Sequence, residues 1–106
     1  MPRYLLEGSY VGEGLKGILK VGGSSRRNAL MEMIQSVGGK LEAMYFAFGE
    51  RDVFGIVELP DNATAAALSM AANASGAVEI RTTVLLTPEE VDAATKKSIP
   101  YRPPGQ

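Results

Sequence analysis

Residues 40–60 read KLEAMYFAFGERDVFGIVELP and contain the clearest hairpin signal in the chain. Aromatic and branched apolar residues fill both halves, on either side of the polar turn Gly-Glu-Arg-Asp at 49–52. A connection of about four residues is typical of an antiparallel hairpin. Pro60 cannot donate to a strand ladder, so the second strand ends before it. The stretch therefore predicts two antiparallel strands, over 40–48 and 53–59.

A helical pattern flanks this hairpin on each side. Upstream, one apolar stripe at 3.6-residue spacing predicts a helix, and it consists of Ala29, Leu30, Met33, Ile34 and Val37. Ser24 or Ser25 is expected to cap this helix, and the glycine pair at 38–39 is expected to end it. Downstream, Asp61 is expected to cap an alanine-rich helix over residues 62–75.

Two further strands complete the pattern. Residues 3–10 and 77–86 both alternate in the way that predicts strands. Between the first strand and the first clear helix, residues 12–23 are punctuated by glycine, and we expect a loop with at most a short helical turn at 15–19. Thr-Pro-Glu-Glu at 87–90 is a capping box that predicts a last short helix to about Lys97.

The order β-α-β-β-α-β predicts an α+β ferredoxin-like sandwich. In this fold a four-stranded antiparallel sheet has the strand order 4-1-3-2, and both helices lie on one of its faces. We expect a single domain over residues 1–98, followed by an extended, proline-rich tail over 99–106.

Composition limits the chemistry that this domain can perform. The chain has 106 residues, with 11 Lys and Arg against 12 Asp and Glu, no His and no Cys. The missing residue types exclude disulfides, thiolate nucleophiles, Cys/His zinc sites and Ser-His-Asp triads. We expect no cofactor, no metal, no nucleic-acid partner and no membrane partner. Without a signal-peptide pattern, the expected location is cytoplasmic.

The alternation also assigns side chains to the two faces of the sheet. If Phe48 pairs with Val53 across the turn, Met44 and Phe46 lie on the helix-covered face. The face without helices then carries large apolar side chains, namely Leu5, Tyr45, Phe54, Ile56 and Leu85. Such a patch covers several hundred Å², the scale that marks interfaces.

The helix-free face also carries charge, from Glu7, Glu58 and Arg81. Buried carboxylates need a cation or a proton, and a second copy packed face to face would cover this surface. Two interpretations stay open: the charged residues form salt bridges at an interface, or they line a small-molecule cavity between subunits. Tyr45 is either an interface aromatic or a proton donor, and Arg51 either belongs to the turn alone or reaches the edge of a pocket. The candidate ligand-binding residues are Glu7, Tyr45, Phe54, Glu58, Arg81 and Arg51, and no catalytic residue is assigned.

Two motifs outside the sheet are weaker evidence for a binding site. The sequence Gly-Glu-Gly-Leu-Lys-Gly at 12–17 matches GxGxxG, but a dinucleotide site also needs a parallel βαβ unit, so a loop or a cavity lid is favoured. Arg26 and Arg27 at the start of the first clear helix are either a solvated first turn or an anion site.

The order of short motifs in this chain resembles the GYD-domain family over residues 3–92. The matching segments are Ser-Arg at 25–26, Val-Gly-Gly-Lys at 37–40, Tyr45, residues 49–53 and 58–61, the alanine-rich helix, Gly76 and Arg-Thr-Thr at 81–83. Arg51 stands where the tyrosine of the Gly-Tyr-Asp motif is expected.

The resemblance implies a dimeric α/β-barrel, with the helix-free faces of two subunits packed together. Its function would be that of a small homo-oligomeric protein, which binds a small molecule or simply assembles through that face. The alternative is a cofactor-independent enzyme, similar to small monooxygenases or isomerases. In it Glu7 or Glu58 would act as base in the inter-subunit cavity.

Overall fold

One antiparallel sheet of four strands organises the chain, and the computed structural model describes residues 1–106. The strands and helices in chain order are β1 (Arg3–Tyr10), α1 (Glu13–Val21), α2 (Gly23–Ser36), β2 (Lys40–Phe46), β3 (Val53–Glu58), α3 (Asn62–Ala74), β4 (Val78–Leu85) and α4 (Pro88–Thr95). The strand order is β2-β3-β1-β4, and every strand pair is antiparallel. The predicted α+β ferredoxin-like fold is therefore confirmed.

Two of the predicted helix caps are present. The side chain of Asp61 accepts a hydrogen bond from the backbone N–H of Thr64 at 2.8 Å, so it caps α3. Thr87 and Glu90 form the reciprocal capping box at the start of α4. Both helices begin where their sequence signals placed them.

The prediction that Ser24 or Ser25 caps the first clear helix is wrong. Its N-cap is Gly22, which has no side chain to accept a hydrogen bond, and the two serines lie inside the first turn of α2. The physical reason is that α1 runs as far as Val21. Gly22, with a φ of 83°, is the single residue at which the chain turns from one helix into the next.

Residues 12–23 also differ from the expected loop, because nine of them form α1. Gly14 is the reason that a glycine-containing helix fits here: a Cβ at this position would overlap the carbonyl oxygen of Ala77, just before β4. The glycine thus permits close packing of a helix, whereas sequence patterns interpret glycine as a loop signal.

The hydrophobic core lies between the sheet and the pair α2 and α3. Its fully buried members are Tyr4, Val57, Ile34 and Leu59, with Leu6, Ala65 and Leu68 around them. The hydroxyl of Tyr4 donates to Oδ1 of Asn62 at 2.5 Å, which ties β1 to the first turn of α3. These contacts place the alternate residues of β1 and β3 on the helix-covered face, as the alternation predicts.

The hairpin pairs two residues earlier than predicted. Phe46, not Phe48, lies opposite Val53, and Phe48 is fully exposed outside the strand. The connecting turn is longer because Asp52 bonds to β1 through its backbone N–H. The shift is an even number of residues, so Met44 and Phe46 keep the predicted face.

The C-terminal part of the chain extends away from the sheet. No residue of α4 is buried, and residues 88–106 are exposed. The Cα radius of gyration is 16.8 Å, against about 13 Å for a compact chain of this length. We refer to residues 87–106 as the C-terminal arm.

None of the four helices has the length and apolar content that crossing a bilayer requires.

Candidate functional site

The helix-free face of the sheet consists of rows of side chains that the strand register sets side by side. The central row is apolar except at its β4 end, with the order Ala43, Ile56, Leu5 and Thr83 from β2 to β4. Ala43, Ile56 and Leu5 are only partly buried, because no other element of the chain packs on this face. The single chain therefore leaves apolar surface uncovered in the middle of its sheet.

A mixed row lies next to the central one and brings together four of the six predicted site residues. From β2 to β4 its order is Tyr45, Phe54, Glu7 and Arg81. Tyr45 is 73% exposed, and Arg81 is also exposed. Glu7 lies opposite Arg81, yet no salt bridge joins them. Both charges are therefore free to meet other groups.

Glu58 lies at the opposite end of the same face. It is four residues from Phe54 along β3, which corresponds to about 13 Å of strand. Its carboxylate forms an ion pair with Arg3, in which Nη2 of Arg3 lies 3.0 Å from Oε1 of Glu58. The structure thus separates Glu58 from Glu7, so the two carboxylates do not share one site.

Arg3 and Glu42 form an ion pair that the sequence analysis missed. Nε of Arg3 donates to Oε1 of Glu42 at 2.7 Å. This hydrogen bond lowers the pKa of the Glu42 carboxyl below its ordinary value and raises the pKa of Arg3. Strict alternation in β2 does not bring Glu42 to this face. The ladder shifts register between Leu41 and Ala43, and the extra residue at this bulge is Glu42.

Arg51, the sixth predicted residue, lies in the turn at the end of the sheet that carries the mixed row. The turn is fixed to β1, because the backbone N–H of Asp52 donates to Gly8 at 2.8 Å and its carboxylate accepts from the Tyr10 N–H at 2.9 Å. Arg51 is half-buried there and makes no ion pair. The turn holds its place through Asp52, which leaves the Arg51 guanidinium unpaired.

A concave space lies on the other side of the sheet, between the sheet and the helices. A cavity of about 460 Å³ is bounded by α1, α2, α3 and the adjoining ends of β1 and β4. A smaller void of about 40 Å³ lies beneath it, and Tyr10, Arg26, Met33, Ala72 and Val78 line both. We call the two together the helix-side cavity. Residue patterns gave no sign of it, because its lining comes from three separate helices and from the ends of two strands.

The helix α1, which contains the Gly-x-Gly motif, borders this cavity without forming a dinucleotide site. The strand before it, β1, pairs only with antiparallel neighbours. A dinucleotide fingerprint requires a parallel βαβ unit, so the motif has another role here. Gly14 gives α1 its close packing on Ala77, and Gly17 faces open space.

Comparisons with known proteins give one match. Neither a search of curated proteins nor a search of solved structures returned a significant relative. A family model, described as the GYD domain, matches residues 4–95. This span includes all four helices and all four strands, except for Arg3 at the start of β1. The chain therefore belongs to the GYD-domain family.

Proposed function

We propose that the protein works as a homo-oligomer, in which two copies pack through their helix-free faces. The observation that carries this proposal is the uncovered apolar row in the centre of the sheet. Apolar area removed from water contributes roughly 25 cal/mol per Å², so a partner that covers the row is favoured. The chain's own arm does not cover it, because residues 88–106 are exposed.

A second copy fits this face better than an unrelated partner. A two-fold interface needs a surface that is complementary to itself. The mixed row carries one unpaired charge of each sign, so Glu7 can meet the partner's Arg81 and the reverse contact forms at the same time. The net charge of the chain is only −1, so two copies repel each other little.

The C-terminal arm supplies additional contact area in this proposal. Four strands spaced about 4.8 Å apart, each about 25 Å long, give a footprint near 500 Å². A stable interface buries about 800 Å² per partner. The arm carries exposed apolar side chains that can supply the difference on the other copy, namely Val91, Ile99 and Tyr101.

The small-molecule function remains a second proposal, supported by the unpaired charges of the mixed row. A face-to-face dimer encloses Glu7, Arg81 and Tyr45 at one end of the interface, with Arg51 at its edge. Glu58 is already paired with Arg3, so Glu7 is the carboxylate that is free to act on a ligand or as the base of an enzyme. Glu7→Gln tests this role, because it removes the charge at nearly constant size.

Light scattering coupled to size exclusion tests the assembly. We expect a dimer at micromolar concentration, and at least a tenfold rise in the dissociation constant for Tyr45→Asp, because the new carboxylate would be buried against apolar side chains. Met70→Asp is the matched control, since Met70 is 66% exposed on α3, away from the helix-free face. Deletion of residues 97–106 should weaken the dimer by a smaller factor.

A monomer at tens of micromolar would refute the assembly proposal. Equal dissociation constants for Tyr45→Asp and Met70→Asp would also refute it, because the helix-free face would then not be the contact. Circular dichroism melts of both variants serve as the folding check. Tyr45 is exposed on the edge strand β2, so its replacement should leave the fold of the single chain intact.

A further inference from the structure

We infer that the helix-side cavity is a binding site for a small carboxylic acid with an apolar body, and that Arg26 holds its carboxylate. This inference goes beyond self-assembly, because the cavity lies on the face of the sheet opposite to the proposed interface. It rests on the volume of the cavity, on its mostly apolar lining and on its one cationic side chain, which has no partner.

The volume and walls of the cavity suit a small apolar molecule. At about 460 Å³ it lies within the range of roughly 300–1,000 Å³ that is common for small-molecule sites. Most of its lining is apolar, with Ile18 and Val21 from α1, Met33 from α2 and Val78 from β4. Such walls recognise the hydrocarbon part of a ligand through contact area and do not discriminate strongly among its shapes.

The charge inside the cavity selects an anion. Arg26 is half-buried and lines both parts of the cavity, yet its guanidinium makes no salt bridge and no hydrogen bond. Glu13, the only acidic residue of the lining, is exposed and bonded to Lys16 at 3.1 Å. A cation that is partly removed from water and lacks a partner favours an anionic ligand.

The remaining polar groups of the lining support a single carboxylate. Ser75 is occupied, because its hydroxyl donates to the carbonyl of Ala72 and accepts from the backbone of Ala77. The hydroxyl of Tyr10, which like Arg26 lines both parts of the cavity, makes no hydrogen bond within the chain and is a second free donor. The guanidinium of arginine can bind both oxygens of a carboxylate with two parallel hydrogen bonds. The hydroxyl can then donate one further hydrogen bond to the same group.

Octanoate and 1-octanol are the probes, because they share an apolar chain and differ in charge. Isothermal titration of the full chain should show octanoate binding at least about tenfold tighter than octanol, as expected for a charge-assisted bond. Arg26→Gln should abolish that preference. Arg27→Gln is the matched control, since Arg27 is adjacent in sequence but lies outside the cavity lining, and it should leave the preference unchanged.

The location of binding can be checked separately with methyl-labelled methionine and NMR. Met33 lines the cavity and Met44 lines its inner void, so both signals should shift on addition of octanoate. Met70 is exposed outside the lining and should not shift. Gly17→Leu projects a side chain into open space of the cavity and should weaken both probes by a similar factor.

Three results would overturn the inference. The first is an absence of octanoate binding at millimolar concentration to a chain that is folded by circular dichroism. The second is equal octanoate affinity in Arg26→Gln and Arg27→Gln. The third is a shift of Met70 without a shift of Met33, which would place binding on the outer surface of α3. None of these results depends on whether the protein is a dimer.

Discussion

The substitution Gly14→Ala should weaken the packing of α1 against the rest of the protein. A Cβ at Gly14 would overlap the backbone carbonyl oxygen of Ala77, which cannot rotate away as a side chain would. The same carbonyl accepts a hydrogen bond from Val11 at 2.9 Å, just before α1. To relieve the overlap, α1 has to move away from the start of β4, and this bond is lost or lengthened.

The size of the effect follows from how little holds α1 in place. The helix contains no buried residue, so the lost hydrogen bond, about 1 kcal/mol, is a large share of its docking free energy. Gly17→Ala is the matched control, because the same change in the same helix meets no atom within 4 Å. Both changes raise helix propensity by about 1 kcal/mol, so this contribution cancels between them.

Hydrogen exchange measured by mass spectrometry on a peptide that covers α1 is the assay. We expect α1 amides in Gly14→Ala to exchange about fivefold faster than in Gly17→Ala, which corresponds to a loss of about 1 kcal/mol. Amides of β1 and β3 should exchange alike in both variants, since the core is untouched. Equal exchange of α1 in the two variants would refute the assigned role of Gly14.

Two further predictions concern stability. Tyr4→Phe removes the hydroxyl that donates to Asn62, and urea unfolding should show a loss of about 1 kcal/mol; no change in the midpoint would mean that this bond contributes nothing. The hydrogen bond from Arg3 lowers the pKa of Glu42 in the folded state, so the stabilisation is complete above pH 4.5, the ordinary value, and is lost as the pH falls through the lowered pKa. Below pH 4.5 the melting temperature of Glu42→Gln should therefore fall less steeply than that of the wild type, while the exposed control Glu32→Gln should follow the wild type. Parallel curves for wild type and Glu42→Gln would contradict the pairing.

Strand alternation predicted the sheet and its faces well because the side-chain period of a strand is fixed. The hairpin shows how robust this is: the pairing partner of Val53 is Phe46 and not Phe48, but both have the same parity. A shift by two residues changes the ladder and keeps each side chain on its face. Glu7, Phe54, Tyr45 and Arg81 therefore lie on the predicted face, and the register places them in one row.

Strand alternation does not predict the face of a side chain where the chain departs from regular pairing. The residues that the sequence did not reveal lie at such places. Glu42 is the extra residue of a bulge, so no alternation pattern could bring it to Arg3. The helix α1 was missed because glycine is a loop signal in sequence, although Gly14 is needed for a close contact that only the tertiary structure creates. The helix-side cavity was missed for a related reason, since its lining is brought together from three helices and two strands only by the tertiary structure.

The two proposed sites can be tested independently because β1 separates them. Glu7 lies on the helix-free face of β1, while Gly8 and Tyr10 lie on the opposite face and line the cavity. A substitution on one face changes no contact on the other unless the sheet itself is disrupted. Tyr45→Asp should therefore leave octanoate affinity unchanged, and Arg26→Gln should leave the dimer intact. If one substitution altered both measurements while circular dichroism showed a folded chain, the cavity and the interface would not be independent sites.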